Sequence, residues 1–196
     1  LVGSEMCIRD SNNIKALAEQ KLFLHNGGYT VAAYLGYSKG YKYLHQAMQD
    51  KDIYNTTVGT LKEVGSALIK KYEFLSREQD EYIQHLIKRF CDDNLADSIE
   101  GLARDVIRKL SYNDRLIGAA RLALQFKIIP QNLIRGIVAA LNYDDIRDQE
   151  AKKLSQEIKT KGIDIVLREI CGLQPEDKLT QLIKKEWRNS TEGLKK

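Results

Sequence analysis

Lys21, His25, Asn26 and Tyr29 fall close together in the run Lys21-Leu-Phe-Leu-His25-Asn26-Gly-Gly-Tyr29. At about 100° per residue, Lys21, His25 and Tyr29 share one helix face at i, i+4 and i+8, with Asn26 on its edge. A lysine surrounded by Leu22, Phe23 and Leu24 is open to desolvation, which lowers an ammonium pKa and makes a general base near neutral pH. An asparagine amide beside it can hold a developing alkoxide by hydrogen bonding. By spacing alone the same residues also read as a surface lysine next to a satisfied asparagine, the commoner arrangement.

The elements that must position these groups read as helices almost throughout. Pro130 and Pro175 are the only prolines, and β-branched alternation is scarce. An amphipathic run begins with Ile14, Leu17, Ala18, Lys21 and Leu22 and continues through Tyr34 and Leu35. Gly27 and Gly28 interrupt it, a sign of close packing or of backbone approach to a ligand. Gly36 and Gly40 bracket a break. Helices follow at 52–72 and at 76–90, the latter opened by the capping pattern Ser76-x-x-Gln79, and a polar turn at Cys91-Asp92-Asp93-Asn94. Short helical pieces occupy 96–110, and Ser111, Asn113 and Asp114 are N-cap candidates for a helix through Phe126. Pro130 suits the first turn of a central helix ending at Leu141. An acidic loop at 142–148 leads to helices at 149–160 and 163–171, then a stop at Gly172 and a last helix at 175–188. Residues 189–196 read as a frayed tail.

One all-α, multi-helical domain is therefore expected. The chain has 196 residues, 43% of them hydrophobic, enough for a real core. Its 31 basic and 27 acidic residues give a net charge of +4 with the signs interleaved, so no block marks a nucleic-acid or membrane patch. No apolar stretch approaches the length of a membrane span. Cys7, Cys91 and Cys171 are too few and too scattered for a CxxC motif or a disulfide framework, which fits a cytoplasmic protein. The aromatic set Tyr34, Tyr37, Tyr41 and Tyr43 reads as core and rim packing rather than a base-stacking platform. Lys184, Lys185, Lys195 and Lys196 read as a solvated face and tail.

The first residues are of another kind. The string Glu5 to Ser11 back-translates to GAG-ATG-TGT-ATA-AGA-GAC-AG and resembles a transposon mosaic-end adapter, so residues 1–11 are expected to be translated adapter, with the gene entering near Asn12 in mid-frame. Leaving them out removes Arg9, Glu5, Asp10 and Cys7 and moves the charge to +5.

Lys21-x4-Asn26, Ala33-Tyr34-Leu35-Gly36, the segment Arg104-Asp105-x-x-Arg108-Lys109-Leu110-Ser111-x-x-Asp114-Arg115-Leu116-Ile117 and Asn132-Leu133-Ile134-x-Gly136-Ile137-x-Ala139-Ala140 occur in that order. Together they resemble the C-terminal domain of the mannitol dehydrogenase, or polyol-specific long-chain dehydrogenase, family, and within it the mannitol-1-phosphate 5-dehydrogenases. The resemblance runs from about residue 12 to Trp187. It implies a two-domain NAD-dependent oxidoreductase whose Rossmann domain precedes residue 12, with residues 12–188 as the substrate and catalytic domain. Lys21 then maps as general base and Asn26 as the alkoxide-stabilising partner. The family pattern Lys-x4-Asn-x2-His has Tyr29 at its third position here. A phenol can hydrogen-bond a substrate hydroxyl but cannot replace an imidazole as proton acceptor, so Tyr29 is expected to be a substrate contact, with His25 one turn earlier.

The implied reaction interconverts mannitol 1-phosphate and fructose 6-phosphate by hydride transfer, without a metal. His25, His45 and His85 lack carboxylate or cysteine partners at ligand spacing. The resemblance assigns the phosphate to Arg104, Arg108, Lys109 and Arg115, a dense basic cluster near helix N-termini. Those residues also read as Asp114 and Arg115 capping a helix while Arg104 and Asp105 pair on the surface. Val106 stands where the family often has proline, which implies a looser turn. No GxGxxG fingerprint occurs, so no residue of this chain is assigned to NAD and the polypeptide alone is expected to be inactive. The complete enzyme is expected to be a monomer whose partner is a small sugar phosphate or polyol, with no nucleic acid and no membrane. The alternatives are a non-catalytic helical binding module on the same scaffold, and a dehydrogenase for a non-phosphorylated polyol or hexuronate. The exposed face of helix 12–35 is expected to carry an apolar patch flanking Lys21 and Asn26.

Overall fold

The computed structural model describes residues 14–193, and the adapter reading of residues 1–11 lies outside them. A helical segment at 14–20 (α1) runs without a break into a π-helical turn, Lys21–Asn26, and on into α2, Gly27–Ser38. Then come α3 (Leu44–Gln49), α4 (Lys51–Tyr72), α5 (Ser76–Phe90), α6 (Ile99–Ala103), α7 (Val106–Lys109) and α8 (Ile117–Gln125). The chain continues with α9 (Gln131–Leu141), α10 (Gln149–Lys161), α11 (Ile163–Glu169) and α12 (Lys178–Gly193). Among the described residues there is no strand, only an isolated antiparallel bridge between Tyr43 and Ser98.

The core is built where α2, α4 and α9 pack on one another. Val31, Ala32, Ala33 and Tyr34 of α2 are buried on every side, because the helix is surrounded by α3, α4, α6 and α9. Such enclosure needs small residues at the crossings. A Cβ on Gly28 would stand 2.8 Å from the Phe90 ring and 2.9 Å from Leu61, and one on Gly136 would stand 2.5 Å from a methyl of Val31. The glycines that weaken the helix by propensity thus let α2 touch α4, α5 and α9. The α4–α9 junction is fixed by Glu63, whose carboxylate accepts from the backbone N–H groups of Asn132 (2.9 Å) and Leu133 (3.1 Å) and from the Asn132 side chain (2.7 Å). Pro130 lies just outside α9 as its N-cap, and Glu63, reaching across from another helix, supplies the capping acceptor.

Several local signals resolve differently from the sequence reading. Gly36 does not end the first helix, which continues to Ser38 and breaks where Gly40 takes φ 77°. The helix α3 had no signal strong enough to find it. Ser76-x-x-Gln79 is not a capping box: Leu75 is the N-cap of α5, and Gln79 is buried, accepting a hydrogen bond from Gln20. Leu116, with no side-chain cap, precedes α8. Pro175 lies in a turn ahead of α12, which extends to Gly193. No described helix is long and apolar enough to cross a membrane.

Candidate functional site

The π turn decides how the chemistry-bearing residues are presented. The Gly27 N–H reaches the carbonyl of Leu22, five residues back, in place of the α-helical fourth. One extra residue in the turn makes i and i+5 neighbours on successive turns. The widened turn swings Asn26 toward the side of Lys21, from which a uniform α-helical period holds it further round. Lys21 is exposed, while Phe23 and Leu24 turn into the core. Those neighbours do not shield its ammonium, so any desolvation of Lys21 must come from whatever covers that surface. The α1 turns leading to it carry Ile14 and Leu17, 69% and 57% exposed.

Below Asn26 opens a cleft of about 230 Å³. His25, Asn26, Tyr29 and Thr30 form one side, and Arg89, Asp97, Leu102 and Arg115 the other. The Asn26 Oδ1 lies 3.1 Å from His25 Nδ1, and the Asn26 backbone carbonyl accepts from Thr30 Oγ1 at 2.7 Å. With its oxygen on the imidazole, the amide keeps its Nδ2 donor for a ligand.

Tyr29 is 6% exposed, and its hydroxyl is already engaged. It donates to Asp97 Oδ2 at 3.0 Å and accepts from Arg89 Nε at 3.0 Å. Burial, then the hydrogen bond to Asp97, pushes the phenol up to about 12. The ring is wedged against Phe90 and His25, with centroids 4.3 and 4.9 Å away. Tyr29 therefore ties Arg89 to Asp97 across the cleft wall instead of standing free as a substrate contact. Arg89 and Asp97 were missed by the sequence reading; their only signal was lying on either side of the Cys91–Asn94 turn, opposite nothing recognisable in the linear chain.

The basic cluster separates. Arg115 lines the cleft, its Nε on Asp114 at 2.8 Å. Arg108 is half exposed and pairs with Asp105 at 3.0 Å and Asp114 at 3.5 Å, outside the cleft. Arg104 is exposed in a different depression beside Tyr143, Asp148 and Glu150. Lys109 is 5% exposed and donates to the backbone carbonyls of Leu102 and Arg104. Burial, and after it the neighbouring Arg115 charge, pulls its ammonium down to about 8. Val106 is fully buried at the start of α7, and the turn before it is tightly tied. Tyr34 is buried with its hydroxyl on the Ala103 carbonyl at 2.8 Å, and Tyr37 and Tyr41 bond to Asp144 and Asp50. Among the described residues no group of three or more His, Cys, Asp or Glu side chains is placed to hold a metal.

A larger cleft of about 580 Å³ lies near Phe23, Arg121 and Leu179, but none of the candidate acid–base groups enters it. The smaller one is where the Asn26 amide, the His25 imidazole and the Arg89 and Arg115 guanidinium groups converge. That lining gives a helical domain a recess suited to a small hydroxylated or anionic molecule.

The comparisons agree with that class. Residues 13–190 match the model of the mannitol dehydrogenase C-terminal domain, and the chain belongs to that family. It is 45% identical over 168 residues to the mannitol-1-phosphate 5-dehydrogenase of Bacillus pumilus (strain SAFR-032), covering 86% of this chain and 44% of the relative. It is 38% identical over 168 residues to the enzyme of that name from Bacillus subtilis (strain 168). The chain spans less than half the length of these relatives. A solved structure of Pseudomonas fluorescens mannitol 2-dehydrogenase, a ternary complex with NAD and D-mannitol, superposes with a TM-score of 0.64 over 88% of this chain and 41% of that one, at 16% identity. At that identity the likeness is one of fold.

Proposed function

We propose that this chain is the substrate-holding and catalytic part of an NAD-dependent mannitol-1-phosphate 5-dehydrogenase, interconverting mannitol 1-phosphate and fructose 6-phosphate. The observation that carries the reading is the cleft lined by Asn26, His25, Arg89 and Arg115, with the π turn swinging Asn26 toward the side of the helix that bears Lys21. Relatives of that name across most of the chain support it. The chain spans less than half the length of these relatives, and on this reading the cofactor is held chiefly by a part of the protein outside residues 12–188. When bound there, the nicotinamide supplies hydride transfer.

The chain's own groups divide the remaining work. Lys21 takes the proton of the reacting hydroxyl. Asn26, its Oδ1 held by His25, donates from Nδ2 to the oxygen as charge develops on it. Arg115 and Arg89 face the phosphate, replacing the Arg108 and Lys109 assignment, since Arg108 is engaged outside the cleft and Lys109 is buried behind it. Ile14 and Leu17 form the surface on which the cofactor domain closes, and closure desolvates Lys21 as a lysine base requires.

The test is the complete protein with its upstream coding sequence restored, assayed for NADH oxidation with fructose 6-phosphate. Lys21→Ala is expected to lower kcat/KM by about 10²- to 10⁴-fold; an unchanged value defeats the assignment. A free polyol is the second reading, favoured because three of the four sequence-assigned cations, Arg104, Arg108 and Lys109, lie outside the cleft. Equal kcat/KM for fructose and fructose 6-phosphate would select it.

A further inference from the structure

Lys109 is among the costliest residues in this core to bury, yet it does not enter the cleft. Among the described residues no carboxylate lies within salt-bridge reach of its Nζ, so no direct ion pair offsets the cost of burying the charge. The ammonium donates to the Leu102 carbonyl at 2.5 Å and to that of Arg104, and lies 5.9 Å from the centroid of the Tyr34 ring. The carbonyl between them, Ala103, accepts the Tyr34 hydroxyl at 2.8 Å. Three consecutive carbonyls at the C-terminal end of α6 are thus each held by a buried side chain. A cation suits that end of a helix, where carbonyls lack intrahelical partners.

The next residue, Asp105, has φ 60°, a left-handed conformation that a non-glycine residue keeps only where its surroundings fix it. Just beyond, the Ile107 N–H donates to Glu150 at 3.1 Å. What this over-determined turn holds is one wall of the cleft. Leu102 lines it, Asp97 at the other end of the same segment anchors Tyr29, and Arg115 is the cation next to Lys109.

We propose that Lys109, together with Tyr34, is a positioning residue that locks the 102–105 turn and so fixes the cleft wall, and that it does not touch the substrate phosphate. The inference rests on the cleft being the substrate site.

Two measurements test it. In the 196-residue chain, Lys109→Met and the milder Tyr34→Phe are expected to speed amide hydrogen exchange over residues 99–107 while leaving α2 and α4 protected; no change there overturns the clamp. In the complete enzyme, both variants are expected to lower kcat/KM for fructose 6-phosphate and for fructose by a common factor, on the order of 10- to 100-fold for Lys109→Met and smaller for Tyr34→Phe. A loss confined to the phosphorylated sugar makes Lys109 a phosphate ligand and overturns the proposal, as does faster exchange with unchanged kinetics. Should Lys109→Met fail to fold, Tyr34→Phe carries both readouts, because it keeps the buried ring. If the complete enzyme reduces neither sugar, the functional reading falls and the positioning role with it, while the exchange arm still decides the clamp.

Discussion

Tyr29 shows how far a side chain's role depends on partners distant in sequence. Its hydroxyl bridges Arg89 and Asp97, 60 and 68 residues away. Tyr29→Phe keeps the ring against Phe90 and His25 but removes the bridge, freeing Arg89 to move. In the complete enzyme we expect KM for fructose 6-phosphate to rise about 10- to 150-fold, the equivalent of one lost hydrogen bond to a charged group, with kcat nearly unchanged. A fall in kcat at constant KM would instead make Tyr29 a participant in the chemical step. The Lys21 and Asn26 pair could be found in the linear chain because both lie in one short run. Arg89 and Asp97 could not, since their relation to Tyr29 exists only once α5 and the loop after it fold back on α2. Lys109 was visible as a cation, but its burial was not: the carbonyls that receive it are backbone atoms, which leave no trace in residue type.

The longer helices α4, α5 and α9 were legible because they carry a clear apolar period. The long α4 and α5 match their expected spans within a residue at each end. The misreadings fall where a local rule met a tertiary demand. Ser76 and Gln79 have the capping spacing, but Gln79 is needed inside. Gly36 would ordinarily stop a helix, but a Cβ there would meet Ile99 and Ala47, so it serves as a contact surface. The π turn was invisible because no residue type specifies it. Gly136 gives the element-scale prediction. Alanine would gain about 1 kcal/mol in helix propensity, but its methyl would stand 2.5 Å from Val31, at the crossing of α2 and α9. Overpacking of that kind costs about 1–3 kcal/mol, so Gly136→Ala is expected to lower the urea midpoint. A stabilised variant would mean that the crossing can spread at little cost.

For the molecule as a whole, buried phenols set the alkaline limit. Burial above all raises Tyr29 and Tyr37 to about 12, and Tyr34 and Tyr143 are raised as well. An unfolded phenol titrates near 10. Above that pH the unfolded chain releases protons that the native state keeps, so this stability is complete below about 10 and is lost as pH rises through about 12. Lys109 has the opposite sign. Pulled down to about 8, it leaves the unfolded chain holding the extra proton up to about 10, and its share of stability grows across that interval. The urea midpoint is expected to hold or rise between pH 8 and 10 and to fall beyond, with the rise absent in Lys109→Met. A midpoint constant to pH 12 would contradict the burial of these phenols. The turn at Lys21–Asn26 acts on this same scale as a dislocation. One additional residue shifts the phase of everything ahead of it by about 100° relative to α2. The exposed stripe of Ile14 and Leu17 is therefore out of phase with the enclosed part of the same rod, so one unbroken helix offers a surface at one end and a core at the other.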